Sequence, residues 1–186
     1  SIFLFSLVFT GLIISNSNYL KVRYGQQLFT QLFDNNQRDQ FIQNNLYLKL
    51  YKSGLAVFKD NPIFGVGNKN YRVITTKNIE TKINEDYILN THPHQIYIEL
   101  ISEHGSLGTI IILTIIFILM FKNLKIIILS RNSVQLGCFV YLLINFMPLL
   151  PGGSFFSDFP STLFWLNLSI MYACNKKTNI LDIKFL

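Results

Sequence analysis

Thr91-His92-Pro93-His94-Gln95-Ile96-Tyr97 runs on through Glu99, Glu103 and His104 to Gly105-Ser106-Leu107-Gly108-Thr109. It is the one place where histidines, a proline and two carboxylates crowd together, and it lies directly against the apolar stretch Leu107–Phe121. Residues before it read as water-exposed; residues after it read as membrane.

Composition agrees with that division. Half of the 186 residues are hydrophobic, 15% are aromatic and 14% are charged, against about 25% charged in a soluble domain. The deficit is local, which points to membrane segments. The net charge is +6, but the lysines are scattered and no aromatic-basic patch forms, which argues against nucleic acid as a partner. Cys138 and Cys174 sit in apolar runs without metal or redox spacing, so they read as small hydrophobes. The chain opens inside an apolar run, Ser1-Ile2-Phe3-Leu4, with no basic flank or cleavage site. We therefore expect the C-terminal piece of a larger membrane protein, with residues 1–15 the end of a transmembrane helix. A buried core helix is the alternative for that run.

Residues 16–95 are a different material, rich in Asn, Gln, Asp and Lys. Tyr47, Leu48, Leu50, Tyr51, Leu55, Ala56 and Phe58 recur at helical spacing, predicting an amphipathic helix over about 44–59 that Asp60-Asn61-Pro62 ends. Ile63-Phe64-Gly65-Val66-Gly67-Asn68 is a glycine-punctuated loop, and Thr75–Asn90 reads as irregular. Pro93 suits a first helical turn, so a helix is expected from about His92–Pro93. Spans are expected over about 105–128, 134–147 and 161–174, in a C-terminal membrane domain 96–186. Lys122, Lys125, Arg131, Lys176 and Lys177 flank one side, which the positive-inside rule makes cytoplasmic. The 16–95 loop and the turn 148–160 then face the external or periplasmic side. The fold class is all-α: polytopic transmembrane helices with one large extracytoplasmic loop.

His94 is the candidate base. In the first turn of a helix the positive end of the dipole favours the neutral imidazole, and the unpaired N–H groups there suit an anion such as a phosphate. Spacing alone also fits an exposed loop histidine. Glu99 and Glu103 share a helix face and read as solvated or interfacial carboxylates. His94 and Glu99 point apart on a helix, which argues against a metal site with Glu103. His92 and His104 are weaker candidates. Gly65-x-Gly67 lacks the third glycine and the strand of a nucleotide loop, so it reads as a tight turn. Arg72 and Lys69 follow it and suit an anionic group.

Together these pieces resemble the O-antigen ligase and polymerase family of bacterial envelope enzymes. Asn61-Pro62-Ile63-Phe64-Gly65-Val66-Gly67 with Lys69-Asn70-Tyr71-Arg72 is similar to its NPxxGxG…(F/Y)R segment. Thr91-His92-Pro93-His94-Gln95-Ile96-Tyr97-Ile98-Glu99 is similar to its HPHNxYLE segment. His94, Gln95, Gly105, Gly108 and Thr109 fit the pattern H-[NSQ]-x9-G-x-x-G-[GTY], and Pro151-Gly152-Gly153-Ser154-Phe155-Phe156 resembles a PxGSFF turn. The resemblance covers about residues 40–175. It implies a fragment of a GT-C-like inner-membrane protein of lipopolysaccharide biosynthesis, with no cofactor and no required metal. The implied reaction transfers a glycan from an undecaprenyl-diphosphate carrier to lipid A–core or to another glycan repeat. His94 maps to the base, with Arg72, Lys69, Gln95 and His92 as substrate contacts and Gly65, Gly67, Gly105 and Gly108 as structural glycines. Gln95 stands where the family more often has Asn. Four spans are counted where the family has about ten or more, so the donor contacts of the missing spans are absent and the fragment alone is expected to be inactive. A transporter-like membrane protein or an inactive remnant is the alternative. The first is disfavoured because the predicted spans carry few ionisable groups.

Overall fold

The computed structural model describes residues 2–22, 33–148 and 150–179; all regular structure among them is helical. The chain forms two compact units, residues 1–48 and 49–186.

In the first unit the apolar N-terminal run is helix α1, Ile2–Asn16, followed by the single turn α2, Asn18–Leu20, and by α3, Asn35–Asn44. Ser17 caps α2 by accepting from the Leu20 amide. Asp34 Oδ1 accepts from Asn36 N at 2.9 Å and starts α3.

The second unit begins on α4, Leu46–Asp60, close to the predicted amphipathic helix. Its buried face carries Leu50, Tyr51, Ser53, Gly54, Ala56 and Val57. Ala56 and Val57 meet Tyr71 and Tyr87 in a small core. A Cβ at Gly54 would run into Ile98 Cγ2 and Pro93, so glycine is what lets α4 approach the histidine segment closely.

One expectation fails here. Residues 75–81 are not irregular but belong to α5, Tyr71–Thr81. Tyr71 and Thr75, one turn apart, are both buried and anchor the helix, while the hydroxyls of Thr75, Thr76 and Thr81 bond back to carbonyls four residues earlier. Lys82, in a left-handed conformation, ends it. Residues 82–95 then carry no regular element. Asp60 Oδ2 accepts from Asn84 Nδ2 and Tyr87 OH, and Ser53 Oγ accepts from Ile88 N, which fastens this stretch to α4.

The predicted helix start also moves. Helix α6, Ile96–Phe121, begins after Gln95, whose side chain accepts from Ile98 N as the N-cap. A β-region cap with a side-chain acceptor outcompetes the proline at the preceding positions. With α7, Leu124–Leu129, it makes the one described stretch long and apolar enough to cross a membrane, Ile96–Leu129. Only 17% of its apolar window is buried inside the protein, unlike a soluble core helix.

Helices α8, Ser133–Asn145, and α9, Asp158–Ala173, fall on the other two predicted spans but have 13 and 16 residues, short of the ~20 that a span needs. They pack with α6 and α7 around Ile116, Met120, Leu142, Phe146, Phe164 and Met171. Gln135, fully buried, donates to Met171 O and Thr178 Oγ1 and ties the helix ends together. There Lys125 and Lys177 line one cavity with Ser130 and Asn175, so two of the grouped basic residues do converge.

Candidate functional site: a cationic cavity beside paired histidines

The site starts from a flaw in α6. Gly105 has φ 64° and ψ −170°, which breaks the helix. A break leaves carbonyls before it and amides after it without helical partners. The loop 61–69 takes them up. Val66 N donates to Ser102 O and Gly67 N to Glu103 O, while Pro62 O and Ile63 O accept from Ser106 N and Leu107 N. Gly65, at φ 67°, and Gly105 face each other so closely that a Cβ on either would enter the backbone of the other segment. The glycine loop is therefore a plug for the helix break. Gly67, at φ 93°, turns the chain onto Asn70, and Gly108 leaves room for the His104 side chain.

Glu103 completes the plug. It is 1% exposed, and its carboxylate accepts from Lys69 N at 2.8 Å and Tyr71 N at 3.3 Å. This sets the short segment that carries Lys69 and Arg72. One turn earlier Glu99, also 1% exposed, accepts from Ser154 Oγ and from Phe155 N. Neither is the solvated carboxylate that the sequence suggests. A carboxylate in an apolar helix without a basic neighbour has to find donors elsewhere, and that absence of a neighbour was the available signal.

The turn gripped by Glu99 meets the histidines. Gly152 N donates to His94 O at 2.9 Å. Gly152 O lies 3.2 Å from His94 Nδ1 and 3.4 Å from His92 Nε2, and the two rings have centroids 4.0 Å apart. A carbonyl only accepts, so the ring nitrogens facing it carry the protons. His94 then has its lone pair on Nε2. His92 Nδ1 is 2.9 Å from Thr91 Oγ1, so both of its nitrogens are engaged. Burial, and then the neighbouring His94, hold the His92 imidazole below its ordinary pKa, with the Gly152 carbonyl opposing them. His94 is not in the first helical turn as expected. It lies two residues before α6 in a left-handed conformation, φ 59°, which points its ring back at the turn 151–157 rather than along the helix.

Lys69, Arg72, Thr91, His92, Gly153, Ser154 and Ser157 line a cavity of about 350 Å³. Three of the sequence-predicted contacts, Lys69, Arg72 and His92, thus come together. His94, with its ring 4.0 Å from that of His92, is not part of the cavity wall. Gln95 is buried and spends its side-chain oxygen on the helix cap. His104 packs edge-on against Phe156, away from the cavity lining. Ser154, Ser157 and Thr91 escaped the sequence reading because isolated hydroxyls carry no spacing signal. Among the described residues no three of His, Cys, Asp and Glu converge as a metal site.

Two cations, three hydroxyls and an imidazole around one cavity suit an anionic group. With a helix of membrane-crossing length beginning beside it, this is a helical protein with an anion-suited cavity at one end of its longest described helix. The particular family follows from the sequence. The chain belongs to the O-antigen ligase family, whose model, described as O-Antigen ligase, matches residues 1–113. That match takes in the glycine loop, both site histidines and the helix break, and stops before the turn 151–157. Membership makes the chain a glycan-transferase type of protein, associated with lipopolysaccharide biosynthesis and a membrane context. No curated protein and no solved structure matches it.

Proposed function

We propose that the protein transfers a glycan from an undecaprenyl-diphosphate carrier to an acceptor sugar, either lipid A–core or another repeat, with His94 as the general base. The cavity carries this reading: in a member of this family, Lys69 and Arg72 line one space with a histidine pair at its edge. His94 Nε2 takes the acceptor hydroxyl proton as that oxygen attacks the anomeric carbon. The bond from the anomeric carbon to the diphosphate breaks, and the lipid diphosphate leaves with the bonding pair. Lys69 and Arg72 hold the diphosphate and meet the charge that develops on it. The scheme routes no step through a metal or cofactor. His92 lines the cavity where His94 does not, and its two nitrogens face Gly152 O and Thr91 Oγ1, so it reads as the binding and orienting partner.

The setting proposed is the bacterial inner membrane, multi-pass, with residues 96–186 as the membrane domain and residues 16–95 on the periplasmic side. The fit of Lys125 and Lys177 into one cavity supports a common side for the basic ends.

The test is long-chain glycan display in cells carrying His94→Ala or His92→Ala in the full protein, with immunoblots for membrane level. His94→Ala at normal level should abolish display, and His92→Ala should reduce it less. Uncapped core with accumulated polymer marks a ligase; single repeats on core mark a polymerase. Unchanged display with His94→Ala sinks the proposal.

A further inference from the structure

Glu99 lines neither the cavity nor the histidine pair, yet every contact of its carboxylate leads there. Its oxygens accept from Ser154 Oγ and Phe155 N, two consecutive residues of the turn. Ser154 itself walls the cavity. Two residues back along the turn, Gly152 O faces both imidazoles and Gly152 N is strapped to His94 O.

A buried carboxylate is a costly way to pack a turn. An apolar residue of similar volume usually serves stability as well or better, since desolvating the charge offsets what its bonds return. What a carboxylate does and an apolar residue does not is hold a hydroxyl and an amide at once, in fixed directions. Here the two donors lie two and three residues after Gly152, whose carbonyl is 3.2 Å from His94 Nδ1. A carbonyl there favours the proton on Nδ1 and the lone pair on Nε2.

We propose that Glu99 is a positioning residue for glycan transfer. It acts through Ser154, Phe155 and the Gly152 carbonyl to hold His94 with its proton on Nδ1 and its lone pair on Nε2. The inference rests on the glycan-transfer reading. Glu103 is the natural comparison, because it grips the other loop by the same means, through Lys69 N and Tyr71 N.

The test uses the full protein with its lipid-linked donor and two readouts, steady-state kinetics and the nitrogen NMR signals of labelled histidines. Glu99→Gln keeps the shape but turns an amide NH2 toward one of the two donors. It should lower kcat about 10- to 100-fold, part of the roughly 10²–10⁴ that a positioned base contributes. Donor KM should change less than kcat, since the loop that carries Lys69 and Arg72 is held by Glu103. The His94 signals should move from the Nδ1–H tautomer to a mixture. Ser154→Ala removes one strap and leaves the carboxylate, so it should shift tautomer and kcat the same way by less. Should Glu99→Gln not accumulate, Ser154→Ala carries the test. Wild-type kcat and an unmoved His94 tautomer, in Glu99→Gln or in that stand-in, overturn the proposal. His94→Ala run alongside separates the failures. If it transfers normally, the transfer reading falls and takes this inference with it. If it is dead while Glu99→Gln is normal, only the positioning role falls.

Discussion

Two loops reach the first twelve residues of α6, and they are held in contrasting ways. The loop 61–72 is locked mostly by backbone: four hydrogen bonds into the helix break, two glycines in near contact, and Glu103 across Lys69 N and Tyr71 N. The turn 151–157 is held by a few groups: the Gly152–His94 backbone bond, Glu99, and two imidazoles on one carbonyl. The first arrangement depends on main-chain shape and leaves its cations exposed to a ligand. The second depends on side chains whose protonation and direction matter. On the proposed reading, the groups assigned to binding are fixed by architecture and the base by adjustable hydrogen bonds.

The contrast is most easily broken at its glycines. Gly105→Ala puts a Cβ into the Ile63 carbonyl at a positive φ, and should cost about 3 kcal/mol or more. It should show as a collapsed membrane level and a lowered melting temperature. Gly152→Ala meets nothing within 4 Å and should leave folding within about 0.5 kcal/mol of wild type. Equal damage from both would erase the distinction between the loops.

A smaller effect is expected at the cations. Arg72→Ala should weaken donor binding about 10-fold, as losing one charged hydrogen-bonding group does. Because Arg72 is exposed, the deficit should shrink with added salt. Titration of donor binding at two salt concentrations checks it, and a salt-independent loss would mean that Arg72 acts by packing.

The smallest effect concerns pH. Burial and His94 lower the His92 pKa. A base with a depressed folded-state pKa binds fewer protons folded than unfolded, so its stabilising share is complete above the ordinary value of about 6.5 and fades as pH falls through the lower one. Melting temperature measured between pH 7 and pH 5 should drop slightly more in wild type than in His92→Gln. An identical drop would show that the histidine pair is not strained by protonation.

Much of the frame was legible. Helical spacing marked α4, the two later apolar runs coincide with α8 and α9, and the long helix begins just after the histidine segment. Four things were hidden, each for a physical reason. Pro93 looked like a helix start, but Gln95 caps better because its side chain reaches the Ile98 amide. The polar run after Tyr71 looked irregular, because its helix is set by two buried residues, Tyr71 and Thr75, rather than by a stripe. The glycines 65 and 105 each suggested a turn, but nothing local says that they face one another, since that contact joins residues 40 apart. Likewise Glu99 and Glu103 looked solvated until the loops supplied their donors.

The most direct test of the account is transfer by the purified full protein carrying His94→Ala, with donor binding measured on the same sample. The prediction is donor affinity within about twofold of wild type and kcat lowered about 100-fold or more. A kcat within about threefold of wild type, at unchanged donor affinity, would contradict the assignment of His94 as the base.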